Sequence, residues 1–172
     1  MLRPPRLAWR ALCFGAILSR RPGEIHMNLK EKPMIPETAN LHDFARRYTA
    51  IWCSRNAASV AGFYSPTGSL TVNRDAPAVG REAITTVAQG FMTAFPDLTL
   101  LMDGLDVRGD RAVYRWTLVG ANTGPGGTGK RVRISGYEEW RIGPDGLIAE
   151  SLGHFDAAEY QRQLERGVDQ PR

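Results

Sequence analysis

Hydrophobic residues along this chain recur first at a helical period and then at a strand period. Leu41, Phe44, Ala45, Tyr48, Ile51 and Trp52 fall on one face of a helix. That helix is expected to start at Asn40, an N-cap residue with Asp43 in the first turn, and to run to about Arg55. A shorter helix is predicted over 57–64, with Val60, Phe63 and Tyr64 inward. Ser65-Pro66 should end it, because a proline disfavours helix at the residue before it. Residues 69–73 alternate as a short strand, and 75–80 read as loop. Ile84, Val87, Ala88, Phe91 and Phe95 stripe a third helix over 81–95, broken by Pro96-Asp97. Beyond that point the period becomes two. Strands are predicted over 98–107, 112–121, 132–142 and 147–155. They are joined by a Gly109-Asp110 turn, a glycine-rich loop over 122–130 and a Gly143-Pro144-Asp145-Gly146 hairpin. A closing helix follows from Asp156 to about Gly167.

Helices that come mostly first, followed by strands with hairpin-length turns, specify an α+β domain. The sheet should be antiparallel and curved around the N-terminal helices. The domain is read as 38–168, with 1–37 as a leader and flexible lead-in carrying Pro33 and Pro36.

Charge changes the picture in one respect. The 172 residues carry a net charge of +4. Arg3, Arg6, Arg10, Arg20 and Arg21 against Glu24 place all of it in the leader, and the rest is neutral. A neutral domain lacks the basic footprint of a nucleic-acid binder, so no nucleic-acid partner is expected. The leader has a short apolar run over 11–18, followed at once by Arg20 and Arg21, without a small-x-small cleavage site. It is too short to span a bilayer, so no membrane partner is expected. The preferred reading starts translation at Met27; secretion through 1–26 is the alternative. Of two cysteines, Cys13 is in the leader and Cys53 is the domain's one thiol, which suits the reducing cytoplasm.

The element order, the GREAI run from Gly80 to Ile84, FPDL from Phe95 to Leu98, the DGLIAES hairpin, and Asp156 followed by Gln163-Leu164 together resemble the SnoaL-like polyketide cyclases. These belong to the nuclear transport factor 2-like superfamily, with the ketosteroid isomerases. The resemblance spans roughly 41–164. It implies a cone-shaped sheet and helices around one apolar pocket, a homodimer, and cofactor-free acid/base chemistry on a small apolar carbonyl compound. The family's acid/base aspartate stands just before the last helix, where this chain has Asp156. Two positions depart from the pattern. Leu152 replaces a tryptophan on the last strand, and Gly120-Ala121-Asn122 replaces a motif that carries a histidine.

On the last strand, side-chain alternation puts Glu150, Leu152, His154 and Asp156 on one face. Glu138 and Trp140 share a face on the strand before it. Asp156 and His154 are therefore candidates for proton transfer. Glu138, Trp140, Tyr48, Trp52, Trp116 and Asn122 are candidates for substrate contact. Asp156 also fits an N-cap, with Glu159 completing a capping-box spacing, and both roles stay open. A hydratase or epoxide-hydrolase-like site would need a second carboxylate and an arginine such as Arg115; a non-catalytic binding or dimeric accessory domain is a further alternative. The loop from Gly124 to Lys130 matches seven positions of a phosphate-binding loop, but Arg131 and a strand follow where Ser or Thr and a helix belong. No metal-ligand spacing is present, and no metal or cofactor is expected.

Overall fold

The structure, a computed structural model, describes residues 38–108 and 111–168. The leader and its start-site question, and the Gly109-Asp110 turn, lie outside the described residues. Helix α1 covers Thr38–Cys53, α2 Ala57–Ala61, α3 Gly80–Ala94 and α4 Ala157–Arg166. The strands are β1 Tyr64–Val72, β2 Ala78–Val79, β3 Thr99–Arg108, β4 Arg111–Ala121, β5 Arg131–Ile142 and β6 Ile148–Phe155. They form one curved sheet in the order β2-β1-β6-β5-β4-β3.

The α+β class and the β3 to β6 meander are as the sequence predicts. Helix α1 already includes Thr38, so Asn40 lies within it and is not its cap; three further details differ, each for a local reason. First, α2 stops at Ala61, capped at its start by the Asn56 side chain, which accepts from the Ser59 amide. Tyr64 then leaves the expected helix and opens β1. Pro66 sits inside a register shift between Tyr64 and Ser69, where its missing N–H removes no ladder bond. Second, β1 runs parallel to β6 rather than antiparallel. Its next strand partner in sequence, β2, is only two residues long, and α3 carries the chain away before the meander begins. Third, 78–79 is not loop but this short strand, pairing with Ser69 and Leu70. The left-handed φ of Gly80, +82°, then turns the chain into α3.

The sheet's concave face and helices α1 to α3 enclose the core. Ala45, Tyr48, Val60, Tyr64, Ile84, Tyr114 and Trp140 are all fully buried there. Tyr114 stacks on Trp140 at 4.7 Å, and Tyr48 meets the same indole edge-on at 5.2 Å. Among the described residues, no helix is long and apolar enough to cross a membrane.

Gly136 on β5 is where the backbone must stay bare. An added Cβ would stand 2.7 Å from the Trp116 ring and 2.5 Å from the His154 carbonyl oxygen. Gly136→Ala is therefore expected to lower stability by about 1–3 kcal/mol through overpacking. Gly90, in the α3 interior with nothing within 4 Å of such a Cβ, should behave oppositely. Gly90→Ala is expected to raise stability by up to about 1 kcal/mol, from helix propensity. Urea midpoints of the two variants check both.

Candidate functional site

Strand register decides which side chains meet. Glu138 lies opposite Gly153 and Trp140 opposite Ser151, while Tyr137 lies opposite His154 and Glu139 opposite Leu152. Directly opposed residues project to the same side. Glu138, Trp140, Ser151 and Gly153 therefore face the core. Glu150, Leu152 and His154 face out, away from Glu138 and Trp140.

Glu138 is 7% exposed, although it is a carboxylic acid among aromatic rings. Its Oε2 accepts from Trp140 Nε1 at 2.8 Å, from Ser151 Oγ at 2.8 Å and from the Tyr48 hydroxyl at 3.2 Å. Its Oε1 has only a 3.5 Å contact with that same hydroxyl. Tyr48 in turn shares a 3.1 Å hydrogen bond with the Tyr64 hydroxyl. One carboxyl oxygen is saturated and the other is lightly held. Burial pushes the Glu138 pKa up; the bonds from Trp140, Ser151 and Tyr48 offset part of that rise, leaving it above its ordinary value. Burial, and after it the charge of Glu138, holds the Tyr48 and Tyr64 phenols far above their ordinary value. Both therefore stay protonated as donors.

Glu138 forms part of the wall of an apolar pocket of about 50 Å3. Trp52 comes from α1, Leu70 from β1, Phe91 from α3, Leu100 from β3, Trp116 from β4 and Phe155 from β6. Gly153 leaves the wall bare beside Glu138; a Cβ there would lie 3.7 Å from the glutamate's Cγ. The indole nitrogen of Trp116 is buried without a hydrogen-bond acceptor, and that of Trp52 is buried close to the Tyr48 hydroxyl. Such an arrangement can exchange a proton with a neutral apolar molecule, because it couples a lightly held carboxyl oxygen to a water-poor cavity.

The structure brings Tyr48, Trp52, Trp116, Glu138 and Trp140 together, and leaves Asp156, His154 and Asn122 elsewhere. Asp156 is exposed at the N-cap of α4, where its Oδ1 accepts from the Glu159 amide at 2.9 Å. Asp156 and His154, expected at a pocket rim, are not brought to this pocket: the cap engages the aspartate's Oδ1 and β6 parity turns the imidazole outward. His154 lies 4.9 Å from the Tyr137 ring and 4.0 Å from Glu139 on the outer face. Asn122 braces the glycine-rich loop, donating to the Ala94 carbonyl and accepting from the Thr128 amide. Arg115 is also on the outer face, paired with Asp106, so it is not available to a hydratase-like centre inside. Among the described residues, no three His, Cys, Asp or Glu are grouped to hold a metal.

Ser151 and Gly153 were not legible as site residues. Their roles depend on cross-strand register, for which one strand's sequence carries no signal. Tyr64 was misplaced by reading its stretch as helix.

A family model described as SnoaL-like polyketide cyclase matches residues 42–164. Several solved structures share the fold. TsrD from Streptomyces laurentii is 24% identical, with a TM-score of 0.65, covering 75% of this chain and 97% of its own. A protein from Catenulispora acidiphila with a ketosteroid isomerase-like fold, in complex with trimethylamine, is 14% identical, with a TM-score of 0.62 and coverage of 70% and 91%. The epoxide hydrolase/cyclase-like enzyme SalBIII, of pyran ring formation in the polyether salinomycin, is 13% identical, with a TM-score of 0.62 and coverage of 72% and 95%. No curated protein matches significantly.

The raised pKa of Glu138 has a consequence for stability. A carboxyl whose pKa rises on folding stabilises the fold fully below its ordinary value of 4.5 and loses that contribution as pH rises through the raised value. Glu138→Gln removes the titration. The stability difference, wild type minus variant, should therefore fall as pH rises from the ordinary value of 4.5 through the raised one. Urea midpoints across that range measure it, and a flat or rising difference would contradict the assignment.

Proposed function

The chain belongs to the SnoaL-like polyketide cyclase family, and from that premise we propose that it is an acid/base enzyme acting on a small apolar carbonyl compound, or on the reacting end of a larger one, with Glu138 as the proton-transfer group. The observation that carries this reading is the buried Glu138 carboxyl on the wall of the apolar pocket, one oxygen held by three donors and the other left with a single long contact. Ionised, Oε1 accepts a proton from the carbon next to the carbonyl. The C–H electron pair moves towards the carbonyl oxygen and gives an enolate. Where a double bond is conjugated to the enolate, return of the proton from Oε1 at the far carbon is an isomerisation; attack of the enolate carbon on a second carbonyl is ring closure, and the proton on Oε1 passes to the alkoxide so formed. Trp140, Ser151 and Tyr48 fix the carboxyl's orientation, and burial raises its pKa, which makes the ionised carboxylate a stronger base. The SalBIII likeness supports a ring-forming reaction.

One observation favours a binding-only reading. The three donors on Oε2 also make Glu138 an effective internal strut joining α1, β5 and β6. The homodimer implied by the family would use the outer sheet face, where Leu101 and Tyr137 are exposed.

Deuterium incorporation next to the carbonyl of a small ketone, followed by NMR, separates the readings without knowledge of the natural substrate. The protein should accelerate exchange, with a rate that rises with pH as Glu138 ionises. Glu138→Gln should lower the acceleration by about a hundredfold or more. Asp156→Asn, which keeps a capping side chain, should leave it near wild type. A loss of exchange in Asp156→Asn with retention in Glu138→Gln would return the chemistry to the helix cap.

A further inference from the structure

Gly153 lies within β6, where a glycine weakens a strand because it has the most backbone freedom to lose and no side chain to pack. The usual structural demands do not account for it. Its φ is outside the left-handed region that Gly146 and Gly167 occupy. It is not at a bulge, since it pairs in unbroken local register with Glu138 of β5 on one side and Val72 of β1 on the other. Packing leaves room as well. An added Cβ would stand 3.3 Å from the Thr71 carbonyl oxygen and 3.7 Å from Glu138 Cγ, so a shift of a few tenths of an ångström admits it. At Gly136 the closest distances are 2.5 and 2.7 Å, and no such shift suffices. The backbone around Gly153 is also held. The Asn73 amide donates to the Gly153 carbonyl at 2.7 Å, and Asn73 Oδ1 accepts from the Phe155 amide at 2.9 Å. The bare position is thus a fixed part of the pocket wall.

We infer that Gly153 determines specificity: it reserves the space beside the Glu138 carboxyl for a substituent on the substrate's reacting carbon, so the proton leaves from a methylene or methine next to the carbonyl in preference to a terminal methyl. The inference rests on the proton-transfer reading of Glu138 given above and names what that group acts on. Cross-strand register carries it. Directly opposed residues of an antiparallel pair have Cβ positions about 4.5–5.5 Å apart, so the missing Gly153 side chain is the cross-strand space opposite Glu138. Ser151, two residues back on the same face, fills its own place with a hydroxyl that holds Oε2. One β6 residue therefore orients the carboxyl and the next on that face clears its approach. Val72, beside Gly153 on β1, and Phe155, two residues on, line the same pocket and suit an alkyl group. The pocket volume of about 50 Å3 is below the roughly 150 Å3 that accommodates a benzene ring, which keeps that group short.

Butanone tests this within one molecule, because it offers a methylene on one side of its carbonyl and a methyl on the other. Deuterium incorporation at the two carbons is followed by NMR in the presence of the full chain. The wild type should accelerate exchange at the methylene more than at the methyl, each measured against buffer alone. Gly153→Ala should lower the methylene rate by about tenfold and the methyl rate by less than about twofold. Its urea midpoint should stay near that of the wild type. Binding is measured apart from turnover, by titrating butanone and acetone into the 15N-labelled chain. The wild type should prefer butanone, and Gly153→Ala should cut that preference by about fourfold. If the wild type shows no exchange while the preference still falls in the variant, proton transfer by Glu138 fails and the selection of substituted ligands by Gly153 stands. The inference is overturned if Gly153→Ala slows both carbons alike or neither, or, where the wild type shows no exchange, if the preference is unchanged. It is also overturned if Gly153→Ala does not fold, because the close approach of the Thr71 carbonyl would then account for the glycine.

Discussion

A carboxyl group buried among aromatic rings is the constraint on which the rest of this structure depends. Removing Glu138 from water is costly unless its oxygens are hydrogen-bonded, and the surrounding elements are arranged to supply those bonds. Tyr48 must come from α1, Ser151 from β6 and Trp140 from the same strand two residues on. Tyr48 and Ser151 fix α1 and β6 against β5. Tyr64 adds β1 through the Tyr48 hydroxyl. The network therefore ties the first helix to three strands of the sheet, and it places a titratable group where an apolar cavity begins. Structural and chemical roles fall on the same four side chains, so neither can be altered without the other.

The cavity exists because backbone was left bare at selected places. Gly136 allows the Trp116 indole to lie across β5, and Gly153 keeps the floor beside Glu138 open. Large rings from four elements then close the space without filling it. Packing of this kind leaves little freedom: the aromatic contacts around Tyr48 and Trp140 lie between 4.7 and 6.4 Å, and a shift in one ring displaces the next.

Fold and activity are separable in this architecture. Solved structures of the same fold at 13–24% identity include an epoxide hydrolase/cyclase-like enzyme and a trimethylamine complex. In this chain the buried carboxyl is Glu138 on β5, and the aspartate ahead of α4 is exposed. Asp156 keeps the position that the family resemblance assigns to an acid/base group, but here it accepts the Glu159 amide and Glu159 bonds on to Arg162. The bonds from Arg162 and, after it, Gln163 bring the Glu159 pKa down to about 2, which marks the start of α4 as a solvated ion-paired cap.

Much of the fold was written in local periodicity. The stripe from Leu41 to Trp52, the stripe from Ile84 to Phe91 and the alternation of β3 to β6 are each decided by residues close in sequence, so the elements and their order could be read directly. The Gly143 to Gly146 hairpin was likewise legible, since Gly146 takes the left-handed φ of +74° that the turn needs. The parallel pairing of β1 with β6 was not, because it joins residues some eighty positions apart. The site was half legible for the same reason. Alternation showed that Glu138 and Trp140 share a face and that His154 shares another with Glu150, but a strand's two faces are equivalent until something packs on one of them. Tertiary closure made that choice: α1 brought Tyr48 over Glu138, the β5–β6 register set Ser151 beneath it, and His154 was left to the outside.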